Sequence, residues 1–169
     1  MMLGLLLVSL AILAGYIAVM VRKDGIPASV SETFYVLEHP KWFTACMTAS
    51  AFLLFPPALD AGRPESQFLI FLAVIGMCMA GLFPHFKSGD KALHYAGSAM
   101  LLLSSQIWVG CNEPWILLLL AAWAAYVGVR LQRDKEGTLL ARLARCRALF
   151  WLEITVIVTT YLTAAIGLL

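Results

Sequence analysis

Of the 169 residues, 62% are apolar and only 13% charged, against about 45 to 50% and 25% in an ordinary soluble domain. A chain of this length makes one domain, and its apolar surface exceeds what a water-soluble core of that size hides, so its solvent is a bilayer. A net charge of only +2 and the lack of any attached basic fold exclude nucleic acid as an expected partner.

Crossing about 30 Å of hydrocarbon as a helix takes roughly 20 apolar residues. Six stretches qualify, at about 1–21, 42–59, 67–84, 94–110, 115–131 and 148–169. They lack period-two alternation, so helices rather than barrel strands must satisfy the backbone internally. The prediction is an all-α integral membrane protein, a single transmembrane domain built as a six-transmembrane-helix bundle. In the first stretch the charges Arg22 and Lys23 follow the apolar run instead of preceding it; a retained anchor is expected there, not a cleaved signal.

Basic residues set an expected orientation. Arg22, Lys23 and Lys41 lie in the first loop, Arg63 in the second, Lys87 and Lys91 in the third, none in the fourth, and Arg130, Arg133, Lys135, Arg142, Arg145 and Arg147 in the fifth. With six spans, the odd loops share a side and hold eleven of the twelve. The positive-inside rule makes that side cytoplasmic and puts the N-terminus and C-terminus outside.

In the first loop, "GIPASVSETFYVLEHPKW", Ser29 and Glu32 have the spacing of a capping box. Val30, Phe34 and Leu37 recur at i, i+4 and i+7 before Pro40. This predicts a short interfacial helix, with Ser31, Tyr35 and Glu38 on its more polar side and His39 at its end.

The third loop and its flanks read "GLFPHFKSGDKALHYAGSAM" over 81–100. His85 and Asp90 fall in the turn, and His94 opens the fourth span with Ser98, Leu101 and Ser105 on the same helical face. Ser104 and Gln106 add polar atoms further along. Such groups in hydrocarbon turn toward neighbouring helices, so this span should face the bundle interior. Gly76/Ala80, Ala121/Ala125 and Ala124/Gly128 have the spacing that permits close helix approach, within the bundle or in a homo-oligomer.

Glu153 is the only acidic residue well inside a span. A carboxyl group there is costly and needs a partner; by depth the choice is His94, with His85, Asp90 or Arg147 as substitutes. The expected candidate site is a cytoplasm-facing polar pocket of His94, Glu153, Ser98, His85 and Asp90, able to relay protons, hold an ion or pin helices together. The histidines have none of the ligand spacings of a metal site, and no metal or other cofactor is expected. The four cysteines form no C-x-x-C, and G-x-S-x-G is missing. In the fifth loop, Arg142, Arg145 and Arg147 sit among leucines and are expected to contact anionic lipid headgroups.

The stretches "VRKDGIPASVSETFY" and "GLFPHFKSGDKALHYAGSAM" resemble those of small polytopic membrane proteins from gut Bacteroidales and their phages. The likeness covers roughly the first two-thirds of the chain. Carried over by position are Pro27, Ser29, Ser31, Tyr35, Pro84 and His94. The Gly-x-Phe-Pro-His run is also similar to a wider bacterial membrane family. The resemblance implies a bacterial inner-membrane protein and implies no activity. The functional expectation is therefore a small transport, channel or ion-coupled component. The alternatives are a membrane-embedded enzyme acting on a lipid-like substrate through His and carboxylate groups, or a phage-related accessory protein whose polar groups only hold the fold.

Overall fold

The computed structural model describes residues 1–36, 41–83 and 91–169. Among them all regular structure is helical. In chain order the helices are α1 (Met2–Asp24), a four-residue α2 (Thr33–Val36), α3 (Lys41–Ala61), α4 (Gln67–Leu82), α5 (Lys91–Asn112), α6 (Leu118–Arg133), α7 (Leu139–Arg145) and α8 (Ala148–Gly167). Single turns of 3-10 helix at Pro64–Ser66 and Pro114–Leu117 lead into α4 and α6. Each places proline in its first turn, where the missing N–H costs nothing.

Five helical segments are long and apolar enough to cross a membrane: α1, α3, α4 and α6 (the last two with their 3-10 turns), and α8. The expected fourth span is α5. At 22 residues it is as long as the others, but His94, Ser98, Ser104, Ser105 and Gln106 dilute its apolar run and keep it out of that class. The distribution of polarity fits a lipid solvent. Ser9, Ser50, Ser105, Thr159 and Thr163 are at most 1% exposed, while Leu7, Trp42, Phe52, Phe68, Leu103 and Leu118 face outward.

α4 and α5 make the most extensive helix contact, followed by α1 on α3 and α3 on α4; α8 packs across α5, α3 and α1, and α6 packs mainly on α8. Lipid tails are as apolar as leucine, so close packing and interhelical hydrogen bonds hold such helices together. The α4–α5 contact uses the first device. Gly76 and Gly97 face each other so closely that a Cβ on Gly76 would lie 2.6 Å from the Gly97 carbonyl oxygen.

Hydrogen bonds tie α1 to α3 and α8. Ser9 donates to the Ser50 carbonyl at 2.8 Å, Ser50 Oγ donates to the Ser9 carbonyl at 3.3 Å, and the Ser9 and Tyr161 hydroxyls meet at 2.6 Å. Such bonds contribute about 0.6 kcal/mol each, at most about 1.7, so this junction is worth about 2 kcal/mol. Apolar packing continues around it, with Leu13, Phe43, Ile70, Trp108 and Ile116 fully enclosed.

Candidate functional site

The end of the bundle where α1 finishes and α8 begins carries most of the basic residues. There the first loop folds back over the helices. Ser29 Oγ accepts from the Glu32 N–H at 3.0 Å, and Glu32 Oε2 reaches back to the Ala28 N–H at 2.5 Å. This is the reciprocal pattern of a capping box, with the glutamate displaced by one residue from the Ser29 N–H that the usual box satisfies. Thr33 is buried and shares a 2.6 Å hydrogen bond with Tyr16 of α1. Val30 and Phe34 turn inward, and Phe34 packs edge-on against Phe43 at 5.9 Å.

The turned loop presents backbone groups to α8. The Phe150 N–H donates to the Ala28 carbonyl at 3.0 Å, which satisfies one of the free first-turn donors of α8. Glu153, less than two turns into α8, accepts from the Val30 N–H at 2.5 Å. The partner of the intramembrane carboxylate is thus a main-chain amide, and loop and helix are clasped at two adjacent points.

Behind this clasp lies an internal cavity of about 70 Å³. Leu13, Met77 and Leu101 supply apolar wall; Glu153, Ser31, Ser98 and Tyr161 supply polar groups. Its wall is almost wholly apolar, so it offers few of the polar partners that would hold a water. Two residues of the expected pocket, Glu153 and Ser98, therefore share one space.

No family model, curated protein or solved structure matches this chain.

His94 does not line the cavity. Its Nδ1 lies 3.0 Å from the Ala80 carbonyl oxygen and donates to it. The Thr44 hydroxyl donates to the neighbouring Gly81 carbonyl at 2.8 Å, and the Phe83 N–H bonds the Met79 carbonyl. The last carbonyls of a helix have no partner of their own; here His94 and Thr44 provide two, and His94 closes the end of α4. His39, His85 and Asp90 lie outside the described residues, as does the side chain of Tyr35. Among the described residues no group of three or more His, Cys, Asp or Glu side chains is placed to hold a metal ion.

The three arginines expected to contact headgroups, Arg142, Arg145 and Arg147, diverge. Arg142 donates to the Leu131 carbonyl, turning back to the end of α6. Arg145 grips Asp134 with hydrogen bonds of 2.7 and 2.9 Å and also donates to the Glu136 carbonyl. The guanidinium of Arg145 holds the Asp134 carboxyl below the usual carboxylate range, and the same pairing raises the Arg145 side chain. Arg147 is exposed and turns the corner between α7 and α8 with φ of 54°, a left-handed conformation that glycine adopts more easily.

Sequence reasoning passed over two features of this region. The main-chain partner of Glu153 has no side-chain signature, since any residue supplies an amide. Helix α7 is announced by Thr138, whose hydroxyl accepts from the Ala141 N–H, a cap set in a stretch otherwise read only for its charge.

Proposed function

We propose that this is a six-span protein of the bacterial inner membrane, with its basic end in the cytoplasm and both termini outside. We further propose that it works as a small ion-coupled transport component in which Glu153 carries a proton. The crossing by α5 is supported by its length, about 33 Å at 1.5 Å per residue, and by the burial of Ser104 and Ser105 with Gln106 bonded to Thr159 of α8. The orientation rests on eleven of twelve basic residues falling in the odd loops.

The observation that carries the functional reading is the bond between Glu153 and the Val30 N–H at the edge of the internal cavity. An ionised carboxylate accepts strongly from an N–H; a hydrogen bond to a charged group contributes about 1.5–3 kcal/mol, and a neutral one about 0.5–1.5. Protonating Glu153 therefore weakens the clasp by about 1.2 kcal/mol, a roughly eightfold change in the equilibrium between seated and released loop. Proton occupancy is in this way linked to access between the cavity and the cytoplasm.

The test is proton flux into liposomes that hold the purified protein and a pH-sensitive dye. Under an imposed pH gradient, wild-type protein should speed equalisation, and Glu153→Gln, which keeps an acceptor for Val30 but carries no proton, should not. Wild-type flux no faster than that of empty liposomes, or equal flux in both proteins, would refute the reading. A purely structural accessory role is favoured by one observation, the closing of α4 by His94 and Thr44, and is what remains if flux is absent.

A further inference from the structure

Helix α6 is the least embedded of the five apolar segments, with 11% of its apolar window buried. It touches α8 and α7 and leaves a groove of about 490 Å³ along its contact with α8, a size typical of small-molecule sites. Leu119, Trp123 and Tyr126 line one side and Trp151, Ile154 and Val158 the other. Each set recurs at helical spacing, so the groove runs lengthwise between two antiparallel helices.

Its shape is fixed at one end. Trp123 Nε1 donates to the Ala148 carbonyl at 3.0 Å, and the Tyr126 hydroxyl reaches the Cys146 carbonyl at 3.5 Å. Cys146 also borders the next feature, a polar depression of about 200 Å³ lined by Arg130, Arg133, Asp134 and Arg145. Arg130 and Arg133 stand four and seven residues beyond Tyr126, on the same helical face. The one ion pair among the described residues joins Asp134 to Arg145, so Arg130 and Arg133 have no carboxylate partner there. An apolar groove set off by Trp and Tyr, side chains that favour the headgroup level, thus lies about one helical turn from two guanidiniums that are in no ion pair among the described residues.

From this charge complementarity we infer that the α6–α8 groove binds one anionic glycerophospholipid. An acyl chain lies along the groove, and the headgroup phosphate sits on Arg130 and Arg133, whose planar donors match phosphate oxygens. The inference does not depend on proton binding at Glu153.

Native mass spectrometry of the full-length protein in detergent tests it, with titration of phosphatidylglycerol, phosphatidylcholine of the same chains, and inorganic phosphate. Each arginine near an anionic headgroup strengthens binding roughly fivefold. Phosphatidylglycerol should therefore bind at one site about 25-fold more tightly than phosphatidylcholine, and Arg130→Gln/Arg133→Gln should abolish the difference. Ala122→Phe, which fills the groove wall, should weaken both lipids, and inorganic phosphate should not displace phosphatidylglycerol. Equal binding of the two lipids overturns the inference, as does unchanged phosphatidylglycerol binding in either variant. Displacement by phosphate would mean a free-anion site without an acyl chain, and a lipid-free dimer joined through α6 would mean that a second copy covers the groove; both overturn it. Should the double variant not fold, the wild-type lipid preference and Ala122→Phe still decide.

Discussion

Replacing Gly76 with alanine puts a methyl group 2.6 Å from the Gly97 carbonyl oxygen, 2.6 Å from the Leu101 nitrogen and 3.1 Å from the Leu101 Cα. All three are backbone atoms of α5, so no side chain can rotate out of the way. Restoring ordinary contact at 3.4 Å or more means moving α4 and α5 apart by about 0.8 Å at the crossing, in the most extensive helix contact of the bundle. Overpacking of this kind costs about 1–3 kcal/mol, and alanine returns at most about 1 kcal/mol of helix propensity. A net loss near 1–2 kcal/mol is expected in unfolding titrations with SDS in mixed micelles. Gly128→Ala is the control, because a Cβ there meets nothing within 4 Å; it should be neutral or stabilising by up to about 1 kcal/mol. Gly76→Ala combined with Gly97→Ala should cost less than the two singles together, since the first methyl already opens the gap that the second needs. If Gly76→Ala matched wild type, or Gly128→Ala lost as much, the close-approach reasoning would fail.

Glu153→Leu removes the acceptor of the Val30 N–H, and an unsatisfied buried donor costs about 1–3 kcal/mol; Glu153→Gln should lose less, and amide exchange at Val30 should rise only in the leucine variant. His94→Ala leaves the Ala80 carbonyl without its partner, so exchange should quicken at the last turn of α4, with about 1 kcal/mol lost and proton flux unchanged. Asp134, held below its ordinary range by Arg145, binds its proton more readily when unfolded. Its pairing therefore stabilises the α6–α7 corner at pH values above the unfolded aspartate value of about 3.9 and is lost as pH falls through the lower folded value. Proteolytic nicking of 134–138 should rise in acid for wild type, while Asp134→Asn should be nicked equally at neutral and acid pH.

Hydropathy made the helices legible, because a run of apolar residues long enough to cross a bilayer has few other uses. The stripe of Ser98, Leu101 and Ser105 pointed correctly inward: Ser98 lines the cavity and Ser105 is buried. Ser29 and Glu32 read as a cap because both partners are near in sequence. Ser9 was invisible inside its apolar run, since its meaning lies in Ser50 and Tyr161 on other helices. The pairing of Glu153 was missed for a different reason. Matching side chains by depth selects His94, whereas the competing acceptor at Ala80 and the competing donor at Val30 belong to the main chain.

Asn112 has a mechanical consequence. Its Oδ1 accepts from the Arg63 N–H at 2.8 Å, and its Nδ2 donates to Ser66 Oγ at 3.1 Å and to the Trp108 carbonyl at 2.7 Å. One side chain thus rivets the α3–α4 turn to the far tip of α5, and sliding these helices at that tip breaks several bonds together. At the opposite tip, His94 bonds the Ala80 carbonyl and Thr44 the Gly81 carbonyl. Both ends of α4 are thus pinned by side chains of neighbouring helices, with the close Gly76–Gly97 approach between them, so α4 is held as a fixed stave of the bundle and not as a lever.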